Sequence, residues 1–533
     1  MRLSNNPQDR STRVLRSFSR GATAVALLAA IGCNSLDVTN PNLPDAERAL
    51  TSATAIEAIA GGTIRSYFNT YHGLDAAAAL NAMAENQSAS WNNFNMNFYS
   101  SLDDDGTRLT RGWQNDPAKA ERTNMEWYWQ GFYSTASSAR DVLVAIRINN
   151  VNFPSAAAEA RAEAVAQLML GASLAQIAIN YDKGYYLDEN TNLLTLAYVD
   201  RRVLRDSALA RLEDAAALAA ATSFSLPDAW TNGGGTYDNT TIEELANSFA
   251  AMLLAYWPRT DAENTANVNW SAVAGYAANG LTQDFTIVGD GCISFCPALQ
   301  SWSNDMFGFR VHTRVANMLD ASQLNPYPVD GNPQPNSPDD RLGDGSFGPG
   351  GDFPDSYGTV PLTANAGTDF AWSAYEAFNP SRGQYHQSNI AHIRYDRSGE
   401  QSVNDIYSAF GPIPLVPKTQ NDLILAEALI RSGGNKTTAA NLINLTRVGR
   451  GGLAPAAAGG DADPVLLGYI NYENEIELMG IGATPYYNAR RRAGGLRNGT
   501  PREMPVPAKE LGVKLEPLYS FGGAGAANSP TPP

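Results

Sequence analysis

The sequence predicts a mostly α-helical protein made of helical hairpins, with one irregular, loop-rich insert. Three observations carry this. Ala-rich segments with apolar residues three and four apart recur from Asp45 to Gly280 and again from Gln420 to Met479. They come in pairs joined by short polar loops, so neighbouring segments can pack antiparallel. Between the two helical stretches, residues 325–358 hold seven Pro and seven Gly in 34 positions, which no helix or central strand survives.

Residues 1–32 read as a signal peptide. Five Arg (Arg2, Arg10, Arg13, Arg16, Arg20) precede Gly21–Ile31, a small apolar run. It is shorter than the roughly 20 residues a membrane span needs, and it suits the h-region of a secretory signal. The run ends Ala30-Ile31-Gly32-Cys33, which resembles a bacterial lipobox. That resemblance implies cleavage before Cys33 and lipidation of its thiol and new amine. Plain signal cleavage nearby would instead leave Cys33 free. Residues 33–44 are polar and proline-punctuated, a lipidated tether.

The helical-hairpin region spans 45–283, with segments at about 45–70, 74–87, 122–148, 156–182, 199–222, 240–257 and 268–280. The 156–182 segment follows Pro154-Ser155, stops at Asp182-Lys183-Gly184, and places Val165, Leu168, Ala172, Ala175 and Ile179 on one stripe. The 199–222 segment repeats this with Val203, Leu204, Ala208, Leu212 and Ala215. Stacked pairs of this sort suggest degenerate tetratricopeptide-like hairpins, since the 34-residue signature of that repeat is not visible. Residues 284–418 form the irregular, aromatic- and Pro/Gly-rich insert. Helices return over 419–520 to complete the helical domain, and 521–533 reads as a disordered tail.

Charge narrows the partners. The whole chain carries −16; without residues 1–32 it has 33 basic and 53 acidic residues, a net −20. So acidic a body repels phosphate backbones and anionic membrane surfaces, so nucleic acid is excluded and membrane contact is expected only through the lipid anchor. Four His and three Cys leave little for a metal site. Cys292 and Cys296 form a C-x3-C pair, for which an exported chain favours a disulfide over two free thiols.

The C-terminal third resembles the RagB/SusD family of nutrient-uptake outer-membrane lipoproteins. The residues are Ala426-Glu427-Ala428 in DLILAEALIRSGG, then Ile443, Asn444, Arg447, Gly452 and Leu453 in the next helix and turn. YENEIELMGIG (472–482) is similar to that family's acidic helix and MPVPAKEL (504–511) to its Pro-x-Pro closing motif. WYWQGFYSTASSARDVL (127–143) and NVNWSAVAGYAANGL (267–281) are similar to its aromatic-marked helices. The chain departs from the pattern at Ile481, Thr484 and Tyr487, where the family usually has Glu, Arg and Asp. This puts a local salt-bridge cluster in doubt. The resemblance implies a non-enzymatic, cofactor-free lipoprotein, anchored in the outer membrane and facing outward. It would capture oligomers, usually glycans, and hand them to a TonB-dependent SusC-like β-barrel, its hairpins facing the barrel.

Catalytic motifs are sparse. The GxGxxG string Gly343–Gly348 lies between prolines and lacks the strand and helix that dinucleotide binding requires. Asp188, Asn190 and Asn192 begin like a calcium loop, but Leu193 stands where Gly is needed. HExxH, GxSxG and a Walker loop are absent. No carboxylate pair is singled out as catalytic.

Aromatics say more, because sugar C–H faces stack on flat rings while the hydroxyls meet amide and acid side chains. Trp91 with Asn93 sits in an early polar loop; Trp302, Trp372, Tyr375 and Tyr385 lie in the insert. These six are the candidate ligand-binding residues. The helical Trp127, Trp129, Trp257 and Trp270 are expected in the core. An exported helical glycan hydrolase and a scaffold that binds no ligand are the alternative classes.

Overall fold

A computed structural model describes residues 50–89, 93–100, 112–303, 309–325, 332–343, 367–372, 386–395 and 409–523. Most of these residues are in helices, as the periodicity predicts. In chain order the first are α1 (Ala53–Tyr71), α2 (Leu74–Met83), α3 (Met96–Tyr99), α4 (Thr123–Leu143), α5 (Ala156–Asn180), α6 (Arg201–Ala221) and α7 (Asn239–Tyr256). The short α8 (Asp261–Ala266) and α9 (Trp270–Ala278) follow. Successive long helices pack on one another, α4 on α5, α5 on α6 and α6 on α7, while α1 lies against α4. The starts of α5, α6 and α7 have a local cause. Ser155 Oγ accepts from Ala158 N, Asp200 from Arg202 N, and Asp238 forms a capping box with Thr241.

Helix α5 departs from its expected stripe. From Ala164 to Asn180 every residue is buried, because α1, α4, α6 and α7 surround it. Its many Ala let the neighbours come close on all sides. It is also the only helix among the described residues long and apolar enough to cross a membrane, but here it is the core helix. On α6 the stripe holds at Leu204, Ala208, Leu212 and Ala215, whereas Val203 is exposed on the outer face.

The insert hangs from a strand pair. Strand β4 (Phe285–Asp290) leads into it, and β8 (Phe410–Val416) leads out, paired antiparallel from Phe285↔Val416 to Asp290↔Phe410. Within it lie α10 (Ala298–Ser303), α11 (Thr313–Leu319) and β6 (Phe370–Trp372) paired with β7 (Ile390–His392). Strand β5 (Arg310–Val311) pairs with β1 (Gln87–Ser88), tying insert to hairpins. The hairpin β2 (Lys183–Tyr185) and β3 (Tyr198–Asp200) joins α5 to α6.

Helices α12 (Lys418–Arg431), α13 (Lys436–Arg447), α14 (Asp463–Ile476), α15 (Thr484–Arg490) and α16 (Ala508–Lys514) complete the fold. The motifs of this third are mostly joints. Ala426 and Ala428 are buried, and between them Glu427 reaches Arg491 and Arg431. Asn444 clamps Ala456 in both directions. Gly452 has φ +61° and a side chain there would collide with the Asp340 carboxylate, so the turn after α13 can press against the insert only as Gly. The Pro-x-Pro segment runs beside the end of α5, with Met504 N donating to Asn180 O at 2.7 Å. At two positions where the chain departs from the resemblance, Thr484 and Tyr487 form a neutral network with Tyr71, Gln420, Gln176 and Asn180.

Candidate ligand-binding site

An aromatic surface forms where the early loop meets the insert. Phe94 is 46% exposed, and its ring meets that of half-buried Trp302 edge-to-face, centroids 5.6 Å apart. Nothing in their sequence separation of about 200 residues demands this; two local devices produce it. Phe94 and Asn95 both have positive φ, +51° and +59°, a conformation that L residues with side chains adopt at a cost. Amides hold it there. Asn95 Nδ2 donates to Ala120 O, Thr123 Oγ1 and Asn124 Oδ1, while Asn124 Nδ2 donates to Asp75 O at 2.6 Å and to Phe94 O at 3.2 Å. The loop is thus fixed to the first turns of α2 and α4, with the Phe94 ring thrown outward.

Trp302 is positioned from the other side. Helix α10 is pinned to the junction of α1 and α2 through Leu299 N, which donates to His72 O at 2.9 Å, and Gln300, whose amide lies 2.7 Å from His72 Nδ1. Just before it, Cys292 and Cys296 are joined in a disulfide. Asn69 grips that loop, donating to Ser294 O and accepting from Cys296 N, both at 2.8 Å. The Asp290 carboxylate accepts from Ser294 N and Phe295 N. Burial drives the His72 pKa down to about 3, so the ring that supports α10 is neutral. Burial also lifts the Asp75 carboxyl above its usual range, against the opposing hydrogen bond of Thr123.

The candidate residues fare differently. Trp302 stands on a short helix rather than in a loop and contributes to the surface. Trp372 does not: it lies in β6, 9% exposed, packed with Val311, Val315, Leu319, Phe370, Ile390 and Met479 in a small core of the insert. Its place is a correction to the expectation of a loop ring, and the cause is the β6–β7 pair, too short to show as a strand pattern. Trp91, Tyr375, Tyr385 and Cys33 lie outside the described residues, as does the side chain of Asn93. Among the helical tryptophans, Trp129, Trp257 and Trp270 are buried as expected. Trp127 is 41% exposed instead, covering Gly73 with its Nε1 donating to Thr70 O. Phe94 was the overlooked partner, though it directly follows Trp91-Asn92-Asn93. Asp188, the start of the calcium-like spacing, is taken up by Arg211, Thr191 and Tyr186.

No family model matches the sequence, and no curated protein matches it either. Solved structures do. A SusD-like carbohydrate binding protein from Bacteroides fragilis NCTC 9343 superposes with a TM-score of 0.53 at 14% identity, covering 83% of this chain and 86% of that one. A second SusD-like protein from the same organism gives 0.54 at 12% identity, over 83% and 86%. This chain has the SusD-like fold. A SusD-like carbohydrate binding protein from Bacteroides vulgatus ATCC 8482 agrees, with 0.51 at 13% identity over 81% and 82%. The Phe94–Trp302 surface lies where the early loop before α4 meets the insert.

Proposed function

We propose that this protein binds glycans without cleaving them and uses the Phe94–Trp302 surface as a stacking platform. One observation carries the reading. Two aromatic rings from distant parts of the chain are held together at the surface by polar side chains, one of them in a strained backbone conformation. Strain of this kind persists only where its surroundings enforce it, and it concentrates at ligand sites. Two of the solved structures with this fold are described as carbohydrate binding. The wider role we propose follows from the family resemblance: a lipoprotein anchored through Cys33, facing outward from the outer membrane, delivering oligomers to a SusC-like TonB-dependent barrel. Exposed Leu193, Leu194, Val513 and Leu515 lie on either side of the hydrogen bond from Lys514 Nζ to Leu196 O and suit a protein contact on the hairpin side.

The test is binding of the purified protein to a panel of neutral oligosaccharides, followed by assay for new reducing ends. Binding without products is expected. Phe94→Ala and Trp302→Ala should each weaken it severalfold, since a stacked ring contributes about 1 kcal/mol or more beyond its area. Product release, or normal binding by both variants with an unchanged melting curve, would overturn the reading.

A further inference from the structure

A polar cleft lies at the other end of α2 from the aromatic surface. Asn124 ties Phe94 to Asp75 in the first turn of α2, whereas Glu85 lies just past its last turn. Ten residues at 1.5 Å rise separate these points, about 15 Å. The cleft has a volume of about 490 Å³ and is walled by Arg314, Arg431, Arg492 and Arg497. Four guanidiniums around one hollow are out of keeping with a chain of net charge −16.

Part of this charge is structural. Glu475, 1% exposed, lies behind the wall and takes both Arg314 at 2.9 Å and Arg492 at 2.7 Å. Although burial opposes it, these cations hold the Glu475 carboxyl below its usual range. Glu427, 5% exposed, takes Arg431 at 2.7 Å and is shared with Arg491. Glu85 pairs with Arg497, and Asp261 stands exposed at the rim. Counting Arg491, five guanidiniums face four carboxylates, and three of those carboxylates are already engaged by arginine.

Donors are left over. Arg431 gives only its Nε to Glu427, which leaves both Nη groups without a hydrogen-bond acceptor among the described residues. Arg492 gives Nε to Asn488 O and Nη2 to Glu475, leaving Nη1 without an acceptor among the described residues. Both side chains are about one-fifth solvent-exposed, at 22% and 20%. Planar N–H forks of this kind match the spacing of oxygens on carboxylate or sulfate. Beside them the wall offers the Asn471 amide and the apolar faces of Pro464 and Leu467, which suit a sugar ring.

We propose that this cleft binds an oxyanion, the carboxylate or sulfate substituent of an acidic saccharide, with Arg431 and Arg492 as the recognising groups. The saccharide source rests on the glycan-binding reading; recognition of the anion does not. The full-length protein is titrated calorimetrically at low ionic strength with sodium sulfate, with glucuronate, and with a glucuronate-bearing tetrasaccharide. Saturable binding in the millimolar range or tighter is expected, weakening as salt screens the charges. Tighter binding of the tetrasaccharide than of either small anion supports a saccharide source. Equal binding supports the anion site with free oxyanion as its ligand.

Asn471→Asp places a carboxylate in the cleft without touching the buried network. It should weaken binding about tenfold with an unchanged melting curve, as one added like charge in a partly buried site does. Arg431→Gln should weaken it similarly. If no probe binds at up to about 50 mM, weaker than the millimolar range, or if Asn471→Asp binds like wild type, the proposal fails. Neutral-glycan binding at Phe94 is measured on the same samples, so either reading can fail alone.

Discussion

Trp302 and Trp372 look alike in the sequence, each a tryptophan beside Ser in an aperiodic stretch, yet they have opposite roles. Trp302 is half-buried against Phe94 at the surface, and Trp372 is sealed among Val311, Phe370 and Ile390. What separates them is tertiary: β6 is a three-residue strand whose partner, β7, lies about twenty residues on, so no local alternation reveals it. Trp372→Ala should therefore destabilise the protein by about 3–5 kcal/mol through the cavity it leaves. The measurement is the urea midpoint. A variant as stable as wild type but defective in glycan binding would return Trp372 to the site. The candidate site was legible only to the extent that one early loop and the insert were both named. The ring that meets Trp302 was missed, because its outward aim depends on the positive φ imposed by Asn95 and Asn124.

At the scale of elements, the long helices could be read because apolar residues recur three and four apart in their sequences, even in α5, which is buried on every side from Ala164 to Asn180. Two of the strand pairs could not, since Gln87 pairs with Val311 and Phe285 with Val416, across more than one hundred residues. Helix α14 shows what the acidic motif is for. Glu473 and Glu477 are one turn apart and both meet Arg341, while Glu475 faces away to Arg314 and Arg492. Arg341 is fully buried and also donates to Asp339 at 2.8 Å, so one guanidinium from the insert joins three buried carboxylates. Arg394 and Arg450 add contacts to Glu477 and Asp369. Arg341→Leu is of similar volume but leaves Asp339 and Glu473 without their cation, while Glu477 keeps Arg394 and Arg450. A loss of about 3–5 kcal/mol is expected, because uncompensated charges are left out of water. Denaturant unfolding checks it. A loss below about 1 kcal/mol, the level of an exposed ion pair, would mean that the network does not hold insert to helix.

Across the whole molecule, the short supply of histidine becomes a stability argument, because all four rings are buried. His72 and His392 stand at opposite joints, one under α10 and one in β7 beside Gly480 and Tyr395. Burial pushes the His392 pKa down to about 3, and the cations Arg394 and Arg450 push the same way; neither ring nitrogen has a hydrogen-bond partner among the described residues. Its ordinary value is 6.5, and the shift to about 3 fixes the sign. Above pH 6.5 the ring is neutral in both folded and unfolded chains and stability does not depend on its titration. As pH falls from 6.5 toward 3, the unfolded chain takes up a proton that the folded protein refuses, and stability is lost. One such group contributes a slope of about 1.4 kcal/mol per pH unit over that window. His392→Phe removes the proton and keeps an aromatic ring against Phe370. The free-energy difference between variant and wild type should therefore move in the variant's favour as pH falls from about 6 to about 4, by up to that slope, with carboxylates common to both proteins cancelling. Urea unfolding at several pH values measures it. A difference independent of pH over this window would show that His392 takes up its proton in the folded protein as readily as in water.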